Sequence, residues 1–326
     1  MAKPDIFFSF FMFTPNLKPT DPDYVALTMQ RIKDLAAMGF AGFDLPIAPG
    51  TATTDFSQEV ENYQTLRQSI DESGLGDIKF TTNVAAFPNY DPSSDDPDQR
   101  AIALSYLKSR VDITKALGAT AMAGPIVIPY GGYPKSANGA PIWSDDLQDW
   151  QAKRLLNAAP VLTQIADYAA EQQIKVAIEP VDHWETPGPN LVGEVVNFLD
   201  GIPNSCLGAC IDSAHVALGS ESIGSFNNAI SRLTEARRLH YVHISAPDRG
   251  AIHDSWIPWE RFLKPIRGQY SGPYLLEVFN AIPIFVDGLR MTRRRFWRNE
   301  EDAAEDVRPS AYDVAQSGIS ELRSHL

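Results

Sequence analysis

Eight short apolar segments, separated by longer amphipathic stretches, constrain the fold of this 326-residue chain more than any other feature. The segments are bounded by Gly, Pro or Asn and are mostly continuous in hydrophobicity. This pattern is typical of parallel strands buried on both faces. The predicted strands are residues 6–13, 42–47, 78–84, 119–125, 175–180, 207–212, 241–245 and 274–279.

The stretches between these strands carry helix signals, such as Asp21 at the start and Gly39 at the end of the first one. Strand–helix alternation repeated along the chain predicts an α/β fold, a single closed (β/α)₈ TIM barrel. An open doubly wound sheet is the alternative, but the sequence has no glycine-rich phosphate loop. The predicted helices are residues 21–40, 96–119, 146–173, 191–200, 222–236 and 258–266.

Two segments exceed what a barrel needs. Residues 127–150 form a long loop after the fourth strand, rich in Gly, Pro, Tyr and Trp, and we predict an active-site lid. Residues 299–326 are predicted to form a C-terminal helical extension that packs outside the barrel. The whole chain, residues 1–326, is then one catalytic domain.

Composition excludes several classes of partner. The net charge of −13 disfavours nucleic acid, and we interpret the one dense basic run, residues 290–298, as a solvated helix face or an ion-pair surface. No apolar run reaches the about 18 residues needed to span a bilayer. Cys206 and Cys210 have no second cysteine pair with which to form a zinc site. These observations predict a cytoplasmic protein without nucleic-acid or membrane partners.

Four ionisable residues occupy matching positions in the last four predicted strands. Glu179, Asp212, His243 and Glu277 are 33, 31 and 34 positions apart, one βα unit each. Because the carboxyl ends of barrel strands share one mouth, these side chains are expected to converge. Three carboxylates at such close range repel one another unless a cation lies between them. A site of three carboxylates and one imidazole suits Mn²⁺, Co²⁺ or Mg²⁺ and leaves positions open for substrate.

Three further residues follow those strands closely: Glu185, His215 and Arg249. We expect them above the metal, within reach of a bound ligand, where an Arg and a His can stabilise a developing enolate. An alternative is that Arg249 only forms an ion pair with Asp248 or Glu185.

Two neighbouring residues are less clear from the sequence. For His183 a pocket role and a surface role are equally open. We interpret Asp182 as a loop carboxylate.

The four predicted metal ligands and the three residues that follow them have the order and spacing of the corresponding residues in a known family, so the chain resembles the ketose 3-epimerases. These are the D-tagatose and D-allulose 3-epimerases of the xylose-isomerase-like barrel superfamily. Residues 89–125 and 257–262 are also similar, and the likeness covers most of residues 30–300. The set that carries it is Glu179, Glu185, Asp212, His215, His243, Arg249 and Glu277.

The resemblance implies one divalent metal ion, with Mn²⁺ the first choice, held by Glu179, Asp212, His243 and Glu277. Glu179 and Glu277 would exchange the proton α to the carbonyl of a keto-sugar from opposite faces, giving C3 epimerisation. The sugar's other oxygens would contact Glu185, His215 and Arg249. By analogy, the protein is a homo-oligomer.

The sequence departs from that family at Ala246, where an acidic residue is usual, in the longer lid, and in the bulkier, basic stretch 277–297. A lyase reaction therefore stays open, in which C2 of a 3-oxo-glycoside is deprotonated and its C1 substituent is expelled. The chain also resembles the larger subunit of the C-glycoside deglycosidases, which pair with a small partner subunit. An aglycone could then stack on Tyr130, Tyr133, Trp143 and Trp150. An endonuclease IV-type nuclease and a metal-free binding module are disfavoured alternatives.

Overall fold

Eight parallel strands pair in sequence order and close into a barrel, β1 beside β8. The computed structural model describes residues 3–14, 16–49, 55–139, 142, 146–219, 221–279 and 310–326. The TIM-barrel prediction is confirmed. The strands are β1 Ile6–Ser9, β2 Gly42–Pro46, β3 Lys79–Asn83, β4 Ala121–Gly124, β5 Lys175–Ile178, β6 Leu207–Asp212, β7 Leu239–Ile244 and β8 Tyr274–Leu276.

Helices pack around the barrel, and several begin where the sequence supplies a cap. The side chains of Asp21 and Asp96 accept hydrogen bonds from the first turns of α1 and α3, each of which opens with a proline. No helix in the described ranges is both long and apolar enough to cross a membrane. The helices are α1 Pro22–Ala37, α2 Ser57–Glu72, α3 Pro97–Ala116, α4 Asp146–Gln172, α5 Val192–Asp200, α6 Ser213–Leu218, α7 Ile223–Glu235, α8 Trp259–Leu263 and α9 Ala311–His325.

The barrel interior is filled by its own small apolar cluster, separate from the larger core between strands and helices. It contains Phe7, Ala123, Ala177, Cys210, Tyr241 and Leu275. Two alanines next to two large rings fill the closed interior without a channel. A buried polar layer adjoins it, in which Thr81 Oγ1 lies 2.6 Å from Asp44 Oδ2 and 2.7 Å from the Tyr241 hydroxyl. Together they form a packed floor beneath the barrel mouth.

The structure differs from the sequence-based prediction at several element boundaries. The first strand ends at Ser9 instead of residue 13, because Ser9 Oγ accepts a hydrogen bond from the Phe11 N–H and starts a 3₁₀ turn. The helices α2 and α6 were not predicted. The last helix before β8 is shorter than predicted, residues 259–263 instead of 258–266.

The C-terminal helical extension predicted for residues 299–326 is confirmed over Ala311–His325 as α9, which packs against the outside of β8, and residues 299–309 lie outside the described residues. A Cβ atom at Gly318 would lie 2.5 Å from Leu276 Cδ2, so glycine allows the close helix–strand approach. Arg323 near the end of α9 donates to the Gly39 carbonyl at 2.9 Å and ties the helix to the end of α1. The assignment of residues 1–326 to one domain stays a prediction.

We expect Gly124→Ala, at the end of β4, to destabilise the fold by at least about 2 kcal/mol. Gly124 has a φ of +141°, and a Cβ there would lie 2.1 Å from the Val84 carbonyl oxygen. Gly74→Ala is the matched control, because Gly74 also has a positive φ, of +73°, but no atom within 4 Å of the added Cβ. It should cost only about 1 kcal/mol. Equal shifts in the urea midpoint of unfolding for the two variants would contradict a steric overlap between the added Cβ and the Val84 carbonyl.

Candidate active site

The four predicted metal ligands lie at the carboxyl ends of β5 to β8. Glu179 directly follows β5 and its N–H donates to the Gly124 carbonyl at 3.0 Å. Asp212 is the last residue of β6, His243 lies within β7, and Glu277 directly follows β8. Strand pairing places His243 beside Asp212 on one side and Leu275 on the other, after a shift in the β6–β7 register between Ala209 and Cys210.

These four side chains converge. One ligand atom from each lies within 4.8 Å of those of the other three, and all four residues are buried. His243 Nδ1 is 3.1 Å from Glu179 Oε1 and 3.5 Å from Glu277 Oε1. Yet within the described residues neither Glu179 Oε1 nor the His243 nitrogens have a hydrogen-bond partner of acceptable geometry. Buried polar atoms without partners are costly, so this donor set fits a cation between the four residues.

The electrostatics of the cluster point the same way. Burial, with the charges of Glu179 and Asp212, raises the pKa of Glu277 to about 8, although His243 opposes the shift. Burial disfavours the charged imidazole of His243, but Cys210, Glu277 and Glu179 outweigh it and raise the pKa of His243 well above its ordinary value. Glu277 therefore resists ionisation beside Glu179 and Asp212 unless additional positive charge lies between them.

Asp212 is held in place from several sides. Its Oδ1 accepts hydrogen bonds from the N–H groups of Ala214 and His215, at the start of α6. Ser245 Oγ lies 2.6 Å and 2.8 Å from its two oxygens, and Arg249 Nη1 lies 3.2 Å from Oδ2. Burial alone would raise the pKa of Asp212, but Arg249 and His215 outweigh it and hold that pKa below its ordinary value. Asp212 is therefore a fixed carboxylate.

The three predicted substrate-binding residues also come together. Arg249 Nη2 lies 3.6 Å from Glu185 Oε1 and 2.6 Å from His215 Nε2. Arg249 therefore lies within ion-pair distance of Glu185, as the alternative interpretation expected. It also lies near Asp212 and, at 3.7 Å, near Glu277, so the pair with Glu185 is not its sole contact among the described residues. The arginine therefore joins the two predicted groups of residues into one site.

The protonation of His215 is the one point where charge and geometry disagree. Burial and the charge of Arg249 disfavour the imidazolium form of His215. The carboxylates of Asp212, Asp182 and Glu185 outweigh both effects and raise the pKa of His215 to about 9. A proton on Nε2 would, however, oppose the donor of Arg249 at 2.6 Å. The same Arg249 Nη2 lies 3.3 Å from His215 Nδ1, so the guanidinium stands close to both ring nitrogens, and the Asp182 carboxylate lies 3.2 Å from Nδ1.

A cavity of about 490 Å³ opens over the cluster, a size typical of small-molecule sites. Of the four predicted ligands, only Glu179 and Glu277 line it, so Asp212 and His243 lie deeper. Glu185, His215 and Arg249 also line it, and much of the remaining lining is apolar. The apolar lining includes Phe11, Pro46, Ile47, Phe87, Pro88 and Phe279.

The loop after β4 contributes to the cavity wall. Tyr130 lines the cavity, and the N–H of Gly131 donates to the Glu185 carbonyl at 2.7 Å. The Tyr133 hydroxyl donates a hydrogen bond to the backbone carbonyl of His183. The side chain of His183 is exposed. The predicted lid boundary at 150 overlaps α4, which begins at Asp146. Of the other predicted aromatic contacts, Trp150 lies on α4 beside Arg154, and Trp143 is outside the described residues.

Three site residues were missed in the sequence. Ser245 follows His243 by two positions, and side chains two apart share a face of a strand, so this signal was available. Asn83 ends β3 and lines the cavity, which the same strand-end rule could have found. Asp182 was interpreted as a loop carboxylate but is 1% exposed and lies 3.2 Å from His215 Nδ1. Nothing in the sequence marks it as buried.

Comparisons with known proteins find ketose 3-epimerases among the relatives of this chain. A ketose 3-epimerase from Arthrobacter globiformis is 27% identical over 80% of this chain and 83% of its own length. An L-ribulose 3-epimerase from Methylomonas sp. (strain DH-1) is 26% identical over 66% of this chain and 70% of its own.

Solved structures extend the comparison. A crystal structure of a candidate sugar phosphate isomerase/epimerase from Anabaena variabilis is 48% identical, with a TM-score of 0.95 over 99% of this chain and 98% of its own. D-allulose 3-epimerase from Methylomonas sp., solved with D-allulose, shares the fold with a TM-score of 0.74 at 20% identity, over 100% of this chain and 98% of its own. The family model described as xylose isomerase-like TIM barrel matches residues 32–295. The chain therefore belongs to the xylose isomerase-like TIM barrel family.

Proposed function

We propose that this protein is a divalent-metal-dependent epimerase that inverts C3 of a free ketose. The observation that carries the proposal is the position of two carboxylates. Glu179 and Glu277 both approach His243 Nδ1, at 3.1 Å and 3.5 Å, and both line the cavity. Inversion at a carbon requires one group to take a proton from one face and another to supply a proton from the other face. Relatives named as ketose 3-epimerases support the assignment.

The donor set fits one metal ion, which Glu179, Asp212, His243 and Glu277 would hold. Three oxygen donors and one nitrogen favour Mn²⁺, Co²⁺ or Mg²⁺ over thiolate-preferring metals, and we propose Mn²⁺. When bound, the ion would supply electrostatic stabilisation of the negative charge that develops on a carbonyl oxygen as the neighbouring carbon loses its proton.

The chain's own residues account for the proton transfers. Glu179 is 4% exposed and Glu277 is 2% exposed, so neither carboxylate is in free contact with bulk water. One carboxylate takes the C3 proton, and the other, protonated, returns a proton to the opposite face. Burial, with the charges of Glu179 and Asp212, raises the pKa of Glu277 when no cation lies among the four residues, and a bound cation would act against that shift.

Binding and orientation fall to the remaining polar residues of the cavity. We propose that Glu185, His215 and Arg249 hold the sugar's oxygens, because all three are at most 7% exposed and line the cavity beside the two carboxylates. The apolar side chains of the lining would reduce the access of water to the reacting carbon, which strengthens the electrostatic interactions inside.

The lyase alternative would begin with the same proton abstraction but expel a C1 substituent. The relatives named above are epimerases, and they give that alternative no support. The predicted small partner subunit belongs to the lyase reaction and is not proposed here. Together with the epimerase activity, we propose a keto-sugar substrate, a homo-oligomeric state and a single catalytic domain.

The test is incubation with Mn²⁺ and separate ketoses, D-fructose, D-tagatose, D-allulose and L-ribulose, in D₂O. We expect formation of the C3 epimer of at least one ketose, with one solvent deuterium at C3, detected by chromatography and NMR. Release of an aglycone from a 3-oxo-glucoside without C3 exchange in any ketose would contradict the proposal.

A further inference from the structure

Three buried polar residues lie one layer beneath the proposed metal site: Asp44, Thr81 and Tyr241. Side chains two positions apart share a face of a strand. Thr81 is therefore below Asn83, which lines the cavity, and Tyr241 is below His243. All three polar residues are at most 1% exposed. The proposed proton transfers use none of them.

Thr81 joins the other two residues into one hydrogen-bonded chain. Its Oγ1 lies 2.6 Å from Asp44 Oδ2 and 2.7 Å from the Tyr241 hydroxyl. A threonine hydroxyl has one hydrogen to donate. That hydrogen goes to the Asp44 carboxylate, so the Tyr241 hydroxyl donates to Thr81 Oγ1. Removal of the Thr81 hydroxyl would therefore separate Tyr241 from Asp44 and leave both groups without this partner.

The Tyr241 ring packs against the imidazole of His243, with ring centroids 4.6 Å apart and an interplanar angle of 85°. Asp212 is held by hydrogen bonds, including those from Ser245. By contrast, neither nitrogen of His243 has a hydrogen-bond partner of acceptable geometry among the described residues. A metal-binding histidine is usually oriented by a hydrogen bond from its other ring nitrogen. The orientation of His243 depends instead on the groups packed beside it, which are the Tyr241 ring and the Cys210 thiol.

We therefore infer that Thr81 is a positioning residue, which holds the Tyr241 ring against His243 and so orients the imidazole for the metal ion. Thr81 lies below the cavity lining and acts only through Tyr241. The effect on the ion rests on the proposed function, whereas the effect on the two rings does not.

The test is the affinity for Mn²⁺, measured by electron paramagnetic resonance of the unbound ion in titrations of metal-free protein. Loss of an outer residue that orients a metal ligand typically weakens metal binding about 10- to 100-fold. We expect a rise of that size in Kd for Thr81→Val, because valine has nearly the shape of threonine but no hydroxyl. Thr81→Ser keeps the hydroxyl, and its Kd should stay within about threefold of the wild type.

Thr82→Val is the matched control. Thr82 is the next residue on β3 and is also buried, and its Oγ1 lies 2.7 Å from Thr114 Oγ1 on α3, outside the barrel. This variant also removes a buried hydroxyl and its hydrogen bond, but on the face of the strand turned away from the site. It should keep the wild-type Kd for Mn²⁺ even where its Tm falls.

Tyr241→Phe breaks the same chain from the ring end and leaves Thr81 bonded to Asp44, so it serves as the second variant if Thr81→Val does not fold. Its Kd for Mn²⁺ should also rise by about 10-fold or more. Crystal structures of the metal-free proteins give a measurement that does not need the ion. In Thr81→Val the rings of Tyr241 and His243 should be displaced from their wild-type positions.

An unchanged Kd in folded Thr81→Val, or in Tyr241→Phe if the first variant does not fold, would overturn the inference and leave the proposed function intact. An equal rise in Kd for Thr82→Val would overturn it as well, since general loosening of the fold would then explain the effect. If the wild type binds no Mn²⁺, the proposed function fails, but the ring positions in the metal-free variants still decide the role of Thr81.

Discussion

Glu277→Gln is expected to lower kcat for C3 epimerisation by at least about 10³-fold. The glutamine keeps the shape of the side chain but can neither take nor return a proton. Glu277 lines the cavity and is 2% exposed, so its carboxylate reaches the bound substrate while being shielded from bulk solvent. Glu179→Gln should have a loss of similar size, because the two carboxylates are proposed to act on opposite faces of one carbon.

The two variants should differ in a way that identifies their roles. If each carboxylate serves one face, each variant will still exchange the C3 hydrogen of one epimer with D₂O, and the two variants will exchange different epimers. Glu235→Gln, at an exposed position on α7, is the matched control and should keep full activity. Exchange of the same epimer by both variants would contradict the two-face assignment. Metal content must be measured beside each rate, because both residues are also proposed ligands.

Removal of the metal by chelation should abolish at least about 99% of the activity, and Mn²⁺ should restore it. Without the ion, three carboxylates lie unscreened around His243, and the developing charge on the carbonyl oxygen is not stabilised. Chelation should also lower Tm, since an ion present at about 100 times its Kd adds about 2.7 kcal/mol of stability. Calorimetry with and without chelator measures this shift.

Asp212→Asn provides the control for metal removal. Asp212 is fully buried and does not line the cavity, so its replacement acts on the ion and its surroundings, not on direct contact with the sugar. The variant should bind Mn²⁺ more weakly and show a smaller Tm shift on chelation. Full activity of the chelated wild type, or a Tm that does not respond to metal, would argue against a metal enzyme.

The barrel and the four converging residues were predictable because both follow from a repeat. Each βα unit returns the chain to the same end of the barrel, so residues about one unit apart meet at its mouth. Glu179, Asp212 and His243 could therefore be placed together without any contact being known. The continuous hydrophobicity of the strands supplied the other half of the prediction.

What the sequence did not predict depends on local competition or on burial by distant parts of the chain. Residues 6–13 are uniformly apolar, yet a single hydroxyl, that of Ser9, ends the strand by capping a 3₁₀ turn. Helix α2 is largely polar, with buried residues only at Tyr63, Leu66 and Ile70, so its periodic signal is weak. Asp182 is 1% exposed and lies 3.2 Å from His215, a residue far from it in the sequence, and no local pattern reports such a contact.

The most direct measurement is anomalous diffraction at the manganese edge from crystals of the Mn²⁺-loaded protein. The proposed site predicts a single strong peak per chain, with donor atoms of Glu179, Asp212, His243 and Glu277 at about 2.0–2.3 Å. No peak between these four residues, or a peak held by other side chains, would contradict the account of the active site.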